Sequence, residues 1–208
     1  MNSLNIFGLV VLVLQLALHC WCKAEFKCVT CGSVVKLFNQ RTGARLHSHD
    51  VKYGSGSGQQ SVTGSGSPDD HNSYWIVRGK HQKRCTRGEV VKCGDTIRLR
   101  HLATKRNLHS HLFQSPITYN QEVSAFGENG DGDTGDNWVV KCTGNTAKWN
   151  LKDKIRFQHA NTGKYLHLSN EKFGRPIAAQ HEVCAKHLDE SNNLWIAQEG
   201  VYSNIPSL

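Results

Sequence analysis

The chain has 208 residues, with 25 Lys and Arg against 17 Asp and Glu, for a formal net charge of +8. With 20% charged and 38% hydrophobic residues it is neither a disordered polyelectrolyte nor a chain built for a lipid interior, and its length admits one or two domains. The balance suits a soluble protein with one basic side and a core large enough to stand without a partner.

Residues Ile6 to Leu18 are almost uniformly apolar, and a polar, cysteine-containing stretch follows up to Ala24. This is the pattern of a signal peptide cleaved near Ala24-Glu25, and the run of 13 residues is too short to cross a bilayer. No second run could span, so the expected mature protein is a single domain over 25–208 with no membrane span. Cleavage there removes Cys20 and Cys22 and leaves Cys28, Cys31, Cys85, Cys93, Cys142 and Cys184. An even number of cysteines in an oxidising compartment points to disulfides, and six allow about fifteen pairings.

Cys28-x-x-Cys31 has the spacing of a redox or zinc motif. A redox pair sits at a helix start, where the thiol pKa falls, whereas here a strand pattern follows, so structural disulfides are the better reading. Cys93-Gly94 stands before Ile97 as Cys31-Gly32 stands before Val35, so Cys31 already has a place in a repeat.

That repeat organises the rest of the chain. Val35-Lys36-Leu37, Ile97-Arg98-Leu99 and Ile155-Arg156-Phe157 are one alternating strand written three times. The turns Gln40-Arg41-Thr42-Gly43, Leu102-Ala103-Thr104-Lys105 and Ala160-Asn161-Thr162-Gly163 lead into Leu46-His47-Ser48-His49, Leu108-His109-Ser110-His111 and Leu166-His167-Leu168-Ser169. Each copy therefore opens as a hairpin. Val62, Val123 and Val183 mark a third strand, and Trp75, Trp138 and Trp195 a fourth. The marker Leu and marker Trp are 29, 30 and 29 residues apart, and apolar residues recur with period two rather than on a helical face.

A unit of four short strands cannot bury both its hairpins alone, so the copies must share a core. Three units are too few for a propeller, and closing three on one another removes exposed strand edges. The fold expected is an all-β trefoil with pseudo-threefold symmetry and units at about 25–82, 83–145 and 146–203. Leu46, Leu108, Leu166, Trp75, Trp138 and Trp195 are its expected core markers.

Other stretches carry weaker signals. The Gly/Ser-rich run 54–67 lacks the Gly-Lys-Ser/Thr end of a phosphate loop and falls where the other copies have a strand, so tight turns around a strand at Val62 are expected. From Arg78 to Arg106 there are ten Lys or Arg against Glu89 and Asp95, a basic face suited to acidic proteins or to sulfated and phosphorylated glycans. Aromatic residues for base stacking are missing from it, and nucleic acid is not an expected partner after secretion. His47 and His49, like His109 and His111, share a strand face at a spacing zinc could use, but the third copy offers only His167. Histidines bonded to backbone groups at the core edge are the expectation. The acidic run 128–136 fails the EF-hand frame, with Thr134 where glycine is needed and Val140 where the bidentate Glu should be. No hydrolase elbow, zinc-protease helix, P-loop or Asn-x-Ser/Thr acceptor occurs. The motifs thus propose no catalytic, cofactor-binding or metal-binding residue.

Four stretches carry a family likeness: Gly32-Ser33-Val34-Val35-Lys36-Leu37, Leu46-His47-Ser48-His49-Asp50-Val51, 53–64 and Asn120-Gln121-Glu122-Val123-Ser124-Ala125-Phe126-Gly127. In these the chain closely resembles the stromal cell-derived factor 2 family, whose members consist of three MIR repeats in a β-trefoil. The resemblance implies a non-enzymatic protein of the endoplasmic reticulum lumen. It would join a lumenal J-domain co-chaperone and its heat-shock ATPase as a monomer within that complex, keep misfolded clients soluble and be linked to the unfolded-protein response. MIR repeats also occur in mannosyltransferases, so a glycan-binding module is the alternative. The family commonly ends in a retrieval signal, whereas this chain ends Asn204-Ile205-Pro206-Ser207-Leu208, so retention through a bound partner, or secretion as a basic ligand, is expected.

Overall fold

A computed structural model describes residues 27–187 and 191–203; the signal-peptide reading and the chain end at 204–208 lie outside the described residues. Twelve strands follow one another in three sets of four. The first set is β1 (Val34–Asn39), β2 (Ala44–Lys52), β3 (Gln60–Ser65) and β4 (Tyr74–Gly79). The second is β5 (Thr96–His101), β6 (Asn107–Gln114), β7 (Gln121–Phe126) and β8 (Trp138–Cys142), and the third β9 (Ile155–His159), β10 (Tyr165–Lys172), β11 (His181–Lys186) and β12 (Ile196–Val201).

The outer strands of each set close a barrel. β1 pairs with β4, β4 with β5, β5 with β8 and β8 with β9, all antiparallel. Ile155 and Trp195 exchange both backbone bonds at 2.9 Å, joining β9 to the strand entering β12, and β12 returns to β1. The inner strands form hairpins β2–β3, β6–β7 and β10–β11 that cap one end, with β3, β7 and β11 each paired to the other two. All three hairpins break register at the same place, after Ser48, Ser110 and Leu168, a bulge that bends each over the barrel mouth. Six barrel strands capped by a triangle of hairpins make this a β-trefoil, with every sheet edge of the barrel used.

The far end is closed by a second triangle. Val29 N–H donates to Trp149 O at 2.8 Å, Trp149 N–H to Val91 O at 3.0 Å and Val91 N–H to Val29 O at 3.0 Å. Two disulfides, Cys31–Cys85 and Cys93–Cys142, tie the entry of the first and second sets to their ends. At the matching point of the third set stands Leu151, packed against the core instead.

The turn between the first two strands of each set has one residue in the left-handed region, Gly43 (φ 70°), Lys105 (φ 62°) and Gly163 (φ 72°), so the middle copy carries a conformation that glycine adopts more easily. Leu46, Leu108, Leu166, Trp75, Trp138 and Trp195 all have 0% exposure. Each Trp indole N–H donates to the carbonyl of the Leu in its own copy, at 2.9, 3.0 and 3.1 Å. That bond gives the near-constant separation along the chain its physical reason: the Trp must reach back across the barrel to one particular strand. Trp149, also fully buried, packs edge-on against Phe157 and was not among the expected core residues.

Of the six cysteines considered for pairing, Cys28 and Cys184 are free. The Cys28 thiol donates to Asn150 Oδ1 at 3.4 Å, across the bridge that Cys28 makes with Asn150, so its neighbour in space is an amide rather than a second thiol. Cys184 is sealed in β11, where burial pushes its thiol up to about 12.

Candidate functional site

The three cap hairpins share one pairing pattern and differ in surface. In β6, Leu112 is 85% exposed and Phe113 52%, and Tyr119 in the β6–β7 loop is 70% exposed. The matching bulge positions are Asp50 and half-buried Val51 in β2, and Asn170 and Glu171 in β10. Tyr119 takes a left-handed conformation (φ 57°), as do Gly58 (φ 66°) and Ala179 (φ 66°) at the matching points of the other loops. That one left-handed position recurs in all three copies, and only here does it carry a large aromatic side chain out into water.

Beneath these side chains a row of rings runs along β6. Phe126 and His109 lie 4.7 Å apart by centroid, His109 and His111 5.0 Å, and His111 and Phe113 4.8 Å. The row opens on a cleft of about 540 Å³ between the second and third copies, lined also by Gln59, Asp133 and Asn161.

The histidines of the marker motif were expected to bond backbone groups, and the structure corrects this. His47 Nδ1 meets Asp70 Oδ2, and His109 Nδ1 lies 2.9 Å from Asp136 Oδ1. The reason is the one-turn 3-10 segment before each marker Trp, His71–Ser73, Thr134–Asp136 and Ser191–Asn193, which lays an acidic or amide side chain beside the hairpin. In the third copy the amide Asn193 takes that place, 3.4 Å from His167. Burial opposes ionisation of Asp70, but bonds from His47, the Asn72 N–H and the Ser73 hydroxyl hold its carboxyl well below the usual range. Backbone bonding is instead the role of His101 and His159, whose Nε2 atoms face Asn72 O at 2.9 Å and Gly135 O at 3.0 Å. Burial pushes His101 down to about 4 and lowers His159, so both are neutral donors at pH 7.

His109, Asp133 and Asp136 bring one potential ligand atom each within 4.8 Å of one another, a set that could hold a cation. Those atoms are already occupied: Asp136 accepts from His109 and from Asn107 Nδ2 at 2.9 Å, and Asp133 accepts from the Gly135 N–H at 2.7 Å. The cluster braces the 3-10 turn against β6.

Two buried glutamates lock the cap. Glu122 in β7 accepts from the Ser57 N–H at 3.1 Å, from the Ser57 hydroxyl and from His111 Nε2 at 3.0 Å. These bonds outweigh its burial and lower its pKa. Glu182 in β11 grips the next loop in the same way, accepting from the Ile117 N–H at 2.7 Å and the Thr118 hydroxyl at 2.5 Å. Gly56 is needed where it stands, at φ 64°, because a Cβ there would run into Glu122. The Gly/Ser-rich run is thus a clamped loop around β3. The glutamates, Tyr119 and the Leu112–Phe113 pair were not singled out from sequence, although the apolar pair could have been found by comparing the copies position by position.

With this geometry in place, the comparisons with known proteins decide the family. The MIR domain family matches residues 27–140. Stromal cell-derived factor 2 from Mus musculus is 56% identical over 174 residues, covering 84% of this chain and 82% of the relative. The chain belongs to the stromal cell-derived factor 2-like family of MIR-domain proteins. The crystal structure of the SDF2-like protein from Arabidopsis thaliana superposes with a TM-score of 0.83 at 46% identity, covering 86% of this chain and 99% of that one. The S. cerevisiae protein O-mannosyltransferase Pmt1-Pmt2 complex bound to the sugar donor is also similar, with a TM-score of 0.75 at 31% identity, covering 88% of this chain but 27% of that one. The SDF2-like trefoil, its two disulfides and these relatives fit a protein of the secretory pathway. Among the described residues, no helix is long and apolar enough to cross a membrane.

Proposed function

We propose that this protein is a non-enzymatic subunit of a chaperone complex in the endoplasmic reticulum lumen. It associates there with a J-domain co-chaperone and its heat-shock ATPase and helps keep misfolded clients soluble. The observation that carries the reading is the β6–β7 hairpin, which holds Leu112, Phe113 and Tyr119 in water on a rigid, clamped scaffold. Exposed apolar side chains gathered on one hairpin mark an interaction site, and their restriction to one copy gives a symmetric fold a single binding direction.

The test is a pull-down from lumenal extract with the wild type and with Leu112→Asp/Phe113→Asp, alongside suppression of client aggregation. The reading predicts recovery of a J-domain partner by the wild type, a loss of about tenfold or more in the variant, and an unchanged melting temperature because both side chains already face water. Equal recovery by both proteins, or no partner at all, contradicts it. Finding the endogenous protein in the medium rather than the lumen would favour a secreted ligand.

A second reading rests on the cleft beside that hairpin. Phe126 and His111 offer ring faces next to Asp133, Asn161 and Gln59, the combination of platform and hydrogen-bonding groups that sugars require. A glycan array with the wild type and Asp133→Ala tests it, and binding that survives the substitution, or none at all, counts against it.

A further inference from the structure

The outer wall of the barrel beneath the first and second copies carries an arrangement of like charges that the fold does not explain. β4 and β5 pair with Arg78 directly opposite Arg98, and Ile76 opposite Arg100, so three guanidinium groups project from neighbouring positions on one sheet face. Like charges placed opposite each other on antiparallel strands are destabilising. No carboxylate of the described residues lies within 4.0 Å of Arg78, Arg98 or Arg100, whereas Lys36 and Arg45, on another part of the barrel, both pair with Glu199. Arg98 is held in place by its bonds to Gly79 O at 2.9 Å and Gly130 O at 3.2 Å. The buried Nε of Arg100 has no partner.

Two of these arginines, Arg78 and Arg98, border a cleft of about 460 Å³, which Lys83 and Arg84 also line from the loop after β4. That loop is fixed rather than free. The Cys31–Cys85 disulfide anchors one end, and the His81 N–H donates to Asn137 Oδ1 at 2.8 Å near the other. Among the described residues Asp131 is the only acid on the cleft wall, and it is exposed. A fixed, concave set of mutually repelling cations is pre-organised for a compact anion with more than one charge. Beyond the arginines, lysine and Asp131, the wall consists of glycine backbone, the disulfide, Gln82 and His81, with no large apolar side chain. Whatever carries the anion is therefore polar, and small hydrogen-bonding groups suit hydroxyls.

We propose that the cleft bordered by Arg78, Lys83, Arg84 and Arg98 binds a tetrahedral oxyanion ester, a phosphate or sulfate monoester carried on a sugar. Phosphoryl and sulfuryl groups share the geometry that planar guanidinium forks recognise. The site is separate from the apolar hairpin and does not depend on the chaperone reading.

The experiment is calorimetric titration of the full mature chain at low ionic strength with glucose 6-phosphate, glucosamine 6-sulfate, unmodified glucose and a hexa-aspartate peptide. Saturable binding of one or both esters, absent for glucose and weakening as salt rises, is expected. The two ester arms identify which oxyanion is preferred. Arg78→Gln should weaken binding about tenfold, the scale of one charge-assisted bond, while raising the melting temperature of the free protein because a like-charge pair is removed. Lys83→Gln/Arg84→Gln should weaken binding by at least as much, and Lys152→Gln, elsewhere on the surface, should not. Failure of both esters to bind, binding unchanged in the Arg78 and Lys83/Arg84 variants, or tighter binding of the peptide than of either ester would overturn the proposal.

Discussion

A single position shows how the three copies solve one problem with different chemistry. The residue ending the first strand of each copy is Asn39, His101 or His159, and in all three it ties the turn that follows to the 3-10 segment packed against it. Asn39 accepts from the Thr42 N–H at 3.2 Å and donates to Asn192 O at 2.8 Å; His101 meets Thr104 Oγ1 and Asn72 O, both at 2.9 Å. The histidine version has a pH dependence that the amide lacks. Because the folded state holds His101 down at about 4, below its ordinary value of 6.5, the stability it contributes is present above pH 6.5 and is lost as pH falls toward 4. Between pH 7 and pH 5 this one group accounts for about 2 kcal/mol, and His159 acts in the same direction. The paired carboxylates Asp70 and Glu122, held low, are lost only below their ordinary range near pH 4. His101→Asn should therefore fold at pH 7 with nearly wild-type stability and lose about 2 kcal/mol less on acidification to pH 5, as read from urea unfolding at both pH values. An unchanged pH slope would show that His101 is not held neutral. Sequence could suggest that the histidines of the marker motif lie at the core edge, but not that His47 and His109 would face carboxylates while His101 and His159 take the backbone carbonyls. That choice is set by the 3-10 turn, whose placement depends on the closed barrel.

Among the elements, the strands were legible and the staples only partly so. Period-two alternation and the recurring turn residues locate the four strands of each copy because burial on one face of a pleated strand leaves no other pattern. The constant Leu-to-Trp interval was visible too, and the indole-to-carbonyl bond is its cause. Cysteine pairing was not legible, since it depends on which ends meet under the barrel: Cys31 meets Cys85 and Cys93 meets Cys142, while Leu151 fills the third place. Each bridge closes a loop of 54 or 49 residues, worth about 4 kcal/mol by restriction of the unfolded chain. Cys93→Ala/Cys142→Ala should therefore lower unfolding free energy by about 4 kcal/mol while leaving Cys31–Cys85 intact. A loss below about 1 kcal/mol would mean that the core alone orders the second copy.

For the whole molecule, internal symmetry builds the fold and departures from it distinguish the surface of one copy from another. A barrel and a cap made from three copies leave three equivalent hairpins, of which one exposes Leu112, Phe113 and Tyr119, and one charged wall where Arg78, Arg98 and Arg100 crowd together. The family resemblance and the trefoil were readable because both rest on repeated residues. The sites were harder to read because they lie in the differences between copies, which acquire meaning only once the copies are superposed in space. The most direct test of the proposed role is hydrogen exchange along the backbone, with and without a lumenal J-domain co-chaperone. The account predicts that protection on complex formation concentrates in 110–120 and spares the matching segments 48–59 and 168–180. Equal protection of all three hairpins, or protection confined to the barrel wall at 78–100, would contradict it.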